Sequence, residues 1–340
     1  MKKLLACLCG LVLALSATGC SAQPTKETRS FFAMNTAVTL TAYGDAAATA
    51  LQEAEQRLHA LERLWSVTDA DSEIYAVNHR EGETAALSGE TAAIVSFALE
   101  MARETDGALD PTVYPVLTAW GFTTDEMHVP ADDEIARQLV YVGYDRVTLQ
   151  ETTLHMPTGM QLDLGAVGKG YAGDELTALL KEQGVTSALL DIGGNIQVIG
   201  QKPDGGDWRL GIKDPIGDGN LGVLTVADCA VVTSGGYERY FEEDGKRYGH
   251  ILDPATGRPA ESGLAAAVVV APEGRLCDAL STAMYVMGAE RALDFWRQSA
   301  RAFDLLLVTD GGEVYVTAGI ADRFALNDTH QQMPLHVVER

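Results

Sequence analysis

Asp278, Ser281 and Thr282 all fall within 277-CDALSTAMYVMG-288. Asp278 and Thr282 are four residues apart, so a helix sets both oxygens on one face with Ser281 beside them. A carboxylate with hydroxyls and backbone carbonyls is a hard-ligand set that suits Mg2+ or Ca2+, and Mg2+ usually completes its shell with waters and substrate phosphates. By spacing alone, a capping or surface Asp and Thr is the commoner outcome. A second stretch, 163-DLGAVGKGYAGDEL-176, poses a phosphate-binding question. A P-loop needs GxxxxGK followed by Ser or Thr; here Lys169 is followed by Gly170 and the glycines stand two residues too close. Gly168, Gly170 and Gly173 do fit GxGxxG ahead of a helix, with Asp191 near the ribose-binding distance of about 20 residues. Against a dinucleotide crossover, 160-MQLDLGA-166 carries Gln161 and Asp163 where a buried parallel strand is continuously apolar. One helix followed by a long run of strands also cannot build a doubly wound sheet.

Other chemistry has less support. Ser234 in 231-VVTSGGYERYF-241 lacks the preceding glycine of a nucleophile elbow. Seven histidines show no HExxH and no paired zinc spacing. Only His250, in 248-YGHILDPATGRP-259, sits where a strand runs into a Pro and Gly turn, a setting that suits a structural histidine as well as a functional one.

Several elements must position these groups. Leu51, Leu58, Leu61, Leu64 and Trp65 lie at helical spacing in residues 46–65, and a second helical pattern covers about 90–104. Further helices are predicted over about 131–141, 171–183, 274–287 and 290–301, with Gly184 as a C-terminal stop. Strands are predicted at 187–192, 195–199, 208–213, 223–226, 230–233, 247–252 and 265–270, separated by Gly, Asp and Pro turns. Residues 303–319 read as a hairpin around Asp310, Gly311 and Gly312. The order is α+β, with neighbouring strands expected to pair antiparallel.

The chain begins with Lys2 and Lys3 ahead of an apolar run from Leu4 to Leu15, a secretory signal too short to span a bilayer. The run ends ATGC, which predicts lipid modification at Cys20 and tethering to the extracytoplasmic face of the membrane. Loss of residues 1–19 removes two lysines and no acid, taking the formal charge from −23 to −25. So acidic a chain is a poor partner for nucleic acid, which demands a basic face. Of five cysteines, only Cys229 and Cys277 lie beyond the signal and Cys20, and their apolar surroundings suit buried thiols better than a disulfide. No repeat or linker interrupts the rest, so residues 20–30 read as a polar tether, 31–328 as one catalytic unit and 329–340 as a tail.

Taken together, these stretches resemble the ApbE family of FAD:protein FMN transferases along nearly all of the mature chain. In family order come 34-MNT-36, 66-SVTDADSEIYAVN-78, 106-DGALDPTVYPV-116, DLGAVGKGYAGD, 191-DIGGN-195, TSGGYERYF, HILDPATGRP and the DALST helix. The resemblance implies a single-domain α+β fold with FAD in a cleft and Mg2+ at its pyrophosphate. It further implies metal ligation by the Gly168 carbonyl, Asp278, Thr282 and Ser281, and FAD contacts at Met34, Thr68, Ala108, Leu109, Asp110, Gly165, Tyr171 and Leu252. The implied reaction moves FMN from FAD to a Thr or Ser hydroxyl of a partner flavoprotein in a membrane electron-transfer system, with His250 as base or orienting group. Two positions depart from the pattern. Asn35 stands where the family usually has Gly, which matters if φ is positive there. Thr68 is small where family members vary between Tyr and smaller polar residues, which leaves Mg2+-dependent FAD hydrolysis open as an alternative. No intact acceptor motif of the family's type occurs within the chain.

Overall fold

The computed structural model describes residues 24–340 apart from Asp125; the signal segment and Cys20 lie outside the described residues. Its centre is a nine-stranded sheet in the spatial order Lys26–Ala33, Thr36–Tyr43, Ala188–Ile192, Asn195–Ile199, Cys229–Gly235, Leu264–Ala271, Asp304–Thr309, Val314–Thr317 and Leu335–Val338. The sixth strand, LAAAVVVA, shows why this sequence makes a sheet covered on both faces. Side chains alternate with period two, so Ala267, Val269 and Ala271 enter one core while Ala266, Val268 and Val270 enter the other. The first core lies under four helices, Ala47–Trp65, Gly89–Glu104, Gly168–Glu182 and Gly274–Met287. The second lies under a small antiparallel sheet of Trp208–Lys213, Asn220–Val226 and Phe324–Leu326. A third cluster gathers Val116, Trp120, Phe122, Ile135 and Leu252 beside the main body.

The α+β class and the antiparallel habit hold, with one exception. The supposed tail supplies Leu335–Val338, which pairs parallel with Val314–Thr317 at the sheet edge. The supposed tether likewise supplies Lys26–Ala33 at the opposite edge, in register with Thr36–Tyr43 along its whole length. Both are edge strands, whose outward residues are exposed, so their composition reads as polar or mixed rather than as core. The expected 247–252 strand divides into Lys246–Gly249 and Leu252–Asp253, leaving His250 between them. The turn joining the first two strands has Met34 at φ 50° and Asn35 at φ 57°. Two positive φ values in a two-residue hairpin make a type I′ turn, and Asn is one of the few non-glycine residues that tolerates it.

The glycines of the 163–176 stretch fold differently from the expected bend. The helix begins at Gly168, three residues before the predicted start, and none of Gly168, Gly170 or Gly173 has positive φ. Their use is close approach. A Cβ on Gly170 would collide with the Gly274 carbonyl, and one on Gly173 with the Gln197 side chain. The two helices also cap each other. Neither has a side-chain cap from its own N-cap residue, Val167 or Glu273. Asp278 instead accepts the Gly170 N–H at 2.8 Å, and Asp174 accepts the N–H groups of Gly274 at 2.6 Å and Arg275 at 3.1 Å. Four orphan donors at each helix start are thus partly satisfied across the interface. Between the helices and the sheet, Gln197 donates to the Gly170 carbonyl at 3.1 Å and accepts from Thr177 at 3.0 Å. Gly170→Ala is expected to destabilise the fold by about 1–3 kcal/mol, the usual range for an overpacked contact, as measured by urea unfolding; an unchanged midpoint would show that the helices separate at no cost.

Candidate active site

Chain turns from four elements meet at one end of the main sheet. The Met34–Asn35 and Gly193–Gly194 turns are tied by the Gly193 N–H to the Ala37 carbonyl. The Ser234–Gly236 end of the next strand lies on the same side, and the first turn of the Gly168–Glu182 helix caps the group. Ser234 is the junction with the Gly274–Met287 helix: its hydroxyl lies 2.9 Å from Ser281 Oγ and 3.3 Å from Thr282 Oγ1. Ser281 donates onward to the Asp278 carbonyl at 3.0 Å. The structure therefore brings Asp278, Ser281 and Thr282 together beside the helix start that Gly168 opens, with Asp278 and Ser281 buried and Thr282 half-buried. One Asp278 oxygen is taken by Gly170; the other faces the Lys169 ammonium at 3.8 Å.

The 66–69 loop, the 108–112 segment and the 163–165 turn adjoin this group through the Lys169 ammonium, 3.4 Å from the Gly165 carbonyl. Asp163 N–H donates to the Pro111 carbonyl at 2.7 Å, and Tyr114 donates its hydroxyl to the Val67 carbonyl at 3.3 Å. Thr68 is exposed on this rim, its backbone N–H held by Ser66 Oγ. Asp110 is buried and already occupied: it accepts from Thr112 N–H and hydroxyl and from the Tyr144 N–H. Ala108, Leu109 and Leu252 are also buried, so these four residues can meet a ligand through their backbone rather than their side chains. Gly165 is exposed, with its N–H on Asp163 Oδ1 at 2.8 Å. The Tyr171 ring packs edge-on against Trp65 at 5.7 Å and under Arg275, facing the helix layer. Met34 is half-buried, its N–H held by Glu62 at 2.6 Å.

His250 stands on the third side. Its backbone N–H and its Nδ1 both lie within 3.1 Å of the Arg239 carbonyl, an atom that can only accept. Nδ1 therefore carries the proton and Nε2 is left as an acceptor. Protein surrounding the ring pushes its pKa down to about 4, and the Lys169 and Arg239 cations push the same way. Glu238, which sequence reasoning passed over, has its pKa pushed up to about 7 by the enclosing protein and by the Asp278 carboxylate, against the opposing pull of Lys169 and Lys213. Glu238 is nonetheless reached by solvent. Groups that are enclosed by protein and still wet are the walls of an open cleft. Lys169, Arg239 and Asp163 belong to it as well; only Lys169 and Asp163 lay in a stretch that drew attention by its glycines.

Among the described residues no group of three His, Cys, Asp or Glu side chains is placed to hold a metal by itself. The donor set here is one carboxylate, hydroxyls and a carbonyl, beside cations and a neutral imidazole. That is a site for a polyanion which brings oxygen ligands of its own.

Comparison with known proteins agrees with this fold. The ApbE family model matches residues 34–307. FAD:protein FMN transferase of Treponema pallidum is 35% identical over 300 residues, which is 82% of this chain and 82% of that protein. The protein of the same name from Escherichia coli strain K12 is 31% identical over 277 residues, 78% of each. Among solved structures, the ApbE protein of Thermotoga maritima superposes with a TM-score of 0.83 at 32% identity, covering 88% of this chain and 99% of that one. The flavin transferase ApbE from Vibrio cholerae gives 0.80 at 28% identity with the same coverage. The chain belongs to the ApbE family.

The electrostatics of the cleft can be checked directly. In the ligand-free protein the His250 ring should titrate near pH 4 by NMR; a midpoint near the ordinary 6.5 would mean that the cleft does not desolvate it.

Proposed function

We propose that this chain is an FAD:protein FMN transferase, moving FMN from FAD to a Thr or Ser hydroxyl of a target flavoprotein and releasing AMP. Family membership over most of the chain supports this reading, as do relatives of that name across about four-fifths of their length. The observation that carries it to particular residues is the meeting of Asp278, Thr282 and the Gly168 turn with a neutral His250 in one cleft.

The residues fit a bound Mg2+. Asp278 keeps one oxygen free of backbone hydrogen bonds, Thr282 and Ser281 add hydroxyl oxygens, and the Gly168 carbonyl lies on the adjoining helix start. With so few protein ligands the shell is completed by water and diphosphate, which favours Mg2+ over the oxygen-richer shell of Ca2+. When bound, the cation neutralises diphosphate charge and makes the FMN phosphorus more electrophilic. The chain's own groups do the rest. Lys169 and Arg239 draw the anion into a cleft of an otherwise acidic protein. His250 Nε2 accepts the proton of the incoming hydroxyl as its oxygen bonds to phosphorus, and the anhydride P–O bond breaks with its electron pair leaving on AMP. The Arg239 carbonyl holds the tautomer this step needs.

Water can replace the protein hydroxyl. The small, exposed Thr68 leaves the rim open and favours a second reading, FAD hydrolysis to FMN and AMP as an accompanying activity. Lipid attachment at Cys20 would place the cleft at the extracytoplasmic face of the membrane, where a membrane-bound electron-transfer flavoprotein is the acceptor; the ATGC stretch supports this. Among the described residues no helix is long and apolar enough to cross a membrane.

Incubation with FAD, Mg2+ and a candidate acceptor domain, followed by mass spectrometry, should give flavin-labelled acceptor and stoichiometric AMP; intact FAD after prolonged incubation would refute the proposal. Asp278→Ala should abolish Mg2+-dependent turnover, and residual turnover at wild-type rate would remove Asp278 from the metal site. His250→Ala should slow transfer ~10²–10⁴-fold. In Glu238→Gln, which removes the cleft carboxyl that titrates near 7, kcat/KM should stay level from pH 8 to about 5 and fall only towards pH 4, because His250 loses its acceptor nitrogen only there. A limb near pH 6.5 would contradict that assignment.

A further inference from the structure

Two buried side-chain amides near or beside the cleft have both ends satisfied. Asn78 donates to the Leu162 carbonyl and accepts the Leu162 N–H, and Gln197 is held by Gly170 and Thr177. Asn195 is different. It is 1% exposed, and neither Oδ1 nor Nδ2 has a hydrogen-bond partner among the described residues. An unpartnered buried amide weakens a fold, and an apolar residue of the same shape would not.

Its place follows from the register. Asn195 lies opposite Ile192 and Val232, and it shares a face with Gln197 two residues on. Ile192 and Val232 both enter the core beneath the helices. Ser234, two residues past Val232, is on that face too, bonded to Ser281 and Thr282. The direction of the overlying helix is also fixed. Its C-terminal Lys181 pairs with Asp228 at 3.0 Å, and Asp228 accepts the Gly200 N–H, so that end lies over the far end of the Asn195–Ile199 strand. Gln197 spans Gly170 to Thr177. A step of two residues back along the strand, roughly 6.6 Å, sets Asn195 beneath the helix start at Gly168–Gly170.

We propose that Asn195 is a positioning residue of the transfer site. Its amide is the unused partner for the ligand-loaded form, in which Nδ2 donates to a carbonyl of the 164–168 turn and fixes that turn around the diphosphate. The inference rests on the transferase reading and adds a residue to it. It also accounts for why a polar group is kept where the ligand-free fold has no bond for it.

The test is to titrate FAD against Asn195→Leu and Asn195→Ala in the presence of Mg2+, following flavin fluorescence over times at which chromatography shows the FAD intact, and to melt each protein without ligand. Asn195→Leu should melt at or above the wild-type temperature. Its FAD dissociation constant should nonetheless rise about 10–100-fold, the usual effect of removing a group that orients a ligand-bearing one, and FAD with Mg2+ should raise its melting temperature less than it does the wild type's. Unchanged FAD affinity would overturn the proposal, whether or not stability changes, because a purely structural amide moves stability alone. If neither variant folds, Asn195→Asp keeps the shape and loses the donor: weakened FAD binding is expected, and wild-type binding would be decisive against it. Failure of the wild type itself to bind FAD would sink the transferase reading instead and is distinguishable from all of these.

Discussion

The site depends on two helices that complete one another. Asp174 of one supplies the N-terminal cap of the other, and Asp278 of the second returns the bond to Gly170 of the first. Helix starts expose N–H groups and the positive end of the macrodipole, so a carboxylate at each is favourable and fixes the register of the pair. The contact is short enough that only glycine fits at 170 and 274. Asp278 consequently has a set orientation, with one oxygen held by backbone and the other turned to Lys169. A carboxylate placed this way needs no loop to order it. Asp174 has its pKa raised to about 6 by burial, against the pull of the two N–H groups it accepts, so its cap costs desolvation that the helix contact offsets.

Charge is distributed unevenly around that pair. A chain with formal charge −23 nevertheless collects Lys169, Arg239 and Lys213 about the cleft. Those cations sit among Asp163, Glu238 and Asp278, and they oppose the upward pull of burial on Asp163 and Glu238. His250 is kept neutral by the enclosure and by its cationic neighbours, while Glu238 is shifted towards neutrality by the same enclosure and by Asp278. Acid and base groups are separated in this way by environment rather than by residue type.

The glycine stretch at 165–173 shows how one glycine spacing can serve a structural purpose other than the one its pattern suggests. Read as a fingerprint it suggests a phosphate-wrapping bend; folded, Gly170 and Gly173 serve helix–helix and helix–sheet approach, and only Gly165 and Gly168 face open space or solvent. The fold around the stretch is an antiparallel sheet with one parallel edge pair, so among the described residues no crossover unit exists to bind a dinucleotide in the doubly wound manner.

The linear order of residues determined the α+β class, the central strands and the main helices, because period-two and period-3.6 apolar spacing is local. It also marked Asp278, Ser281 and Thr282 as one helix face, and through the family resemblance it named the remaining candidate positions. It did not reveal the edge strands at 26–33 and 335–338, whose pairing is with chain remote in sequence or polar on its outer side. Nor did it show that Asp110 spends its carboxylate on Thr112 and Tyr144, that Glu238 joins the cleft, or that Asn195 lies orphaned under a helix. Those facts arise where elements far apart along the chain meet. Desolvation and hydrogen-bond partnership are properties of that meeting, and no spacing along a single strand or helix encodes them.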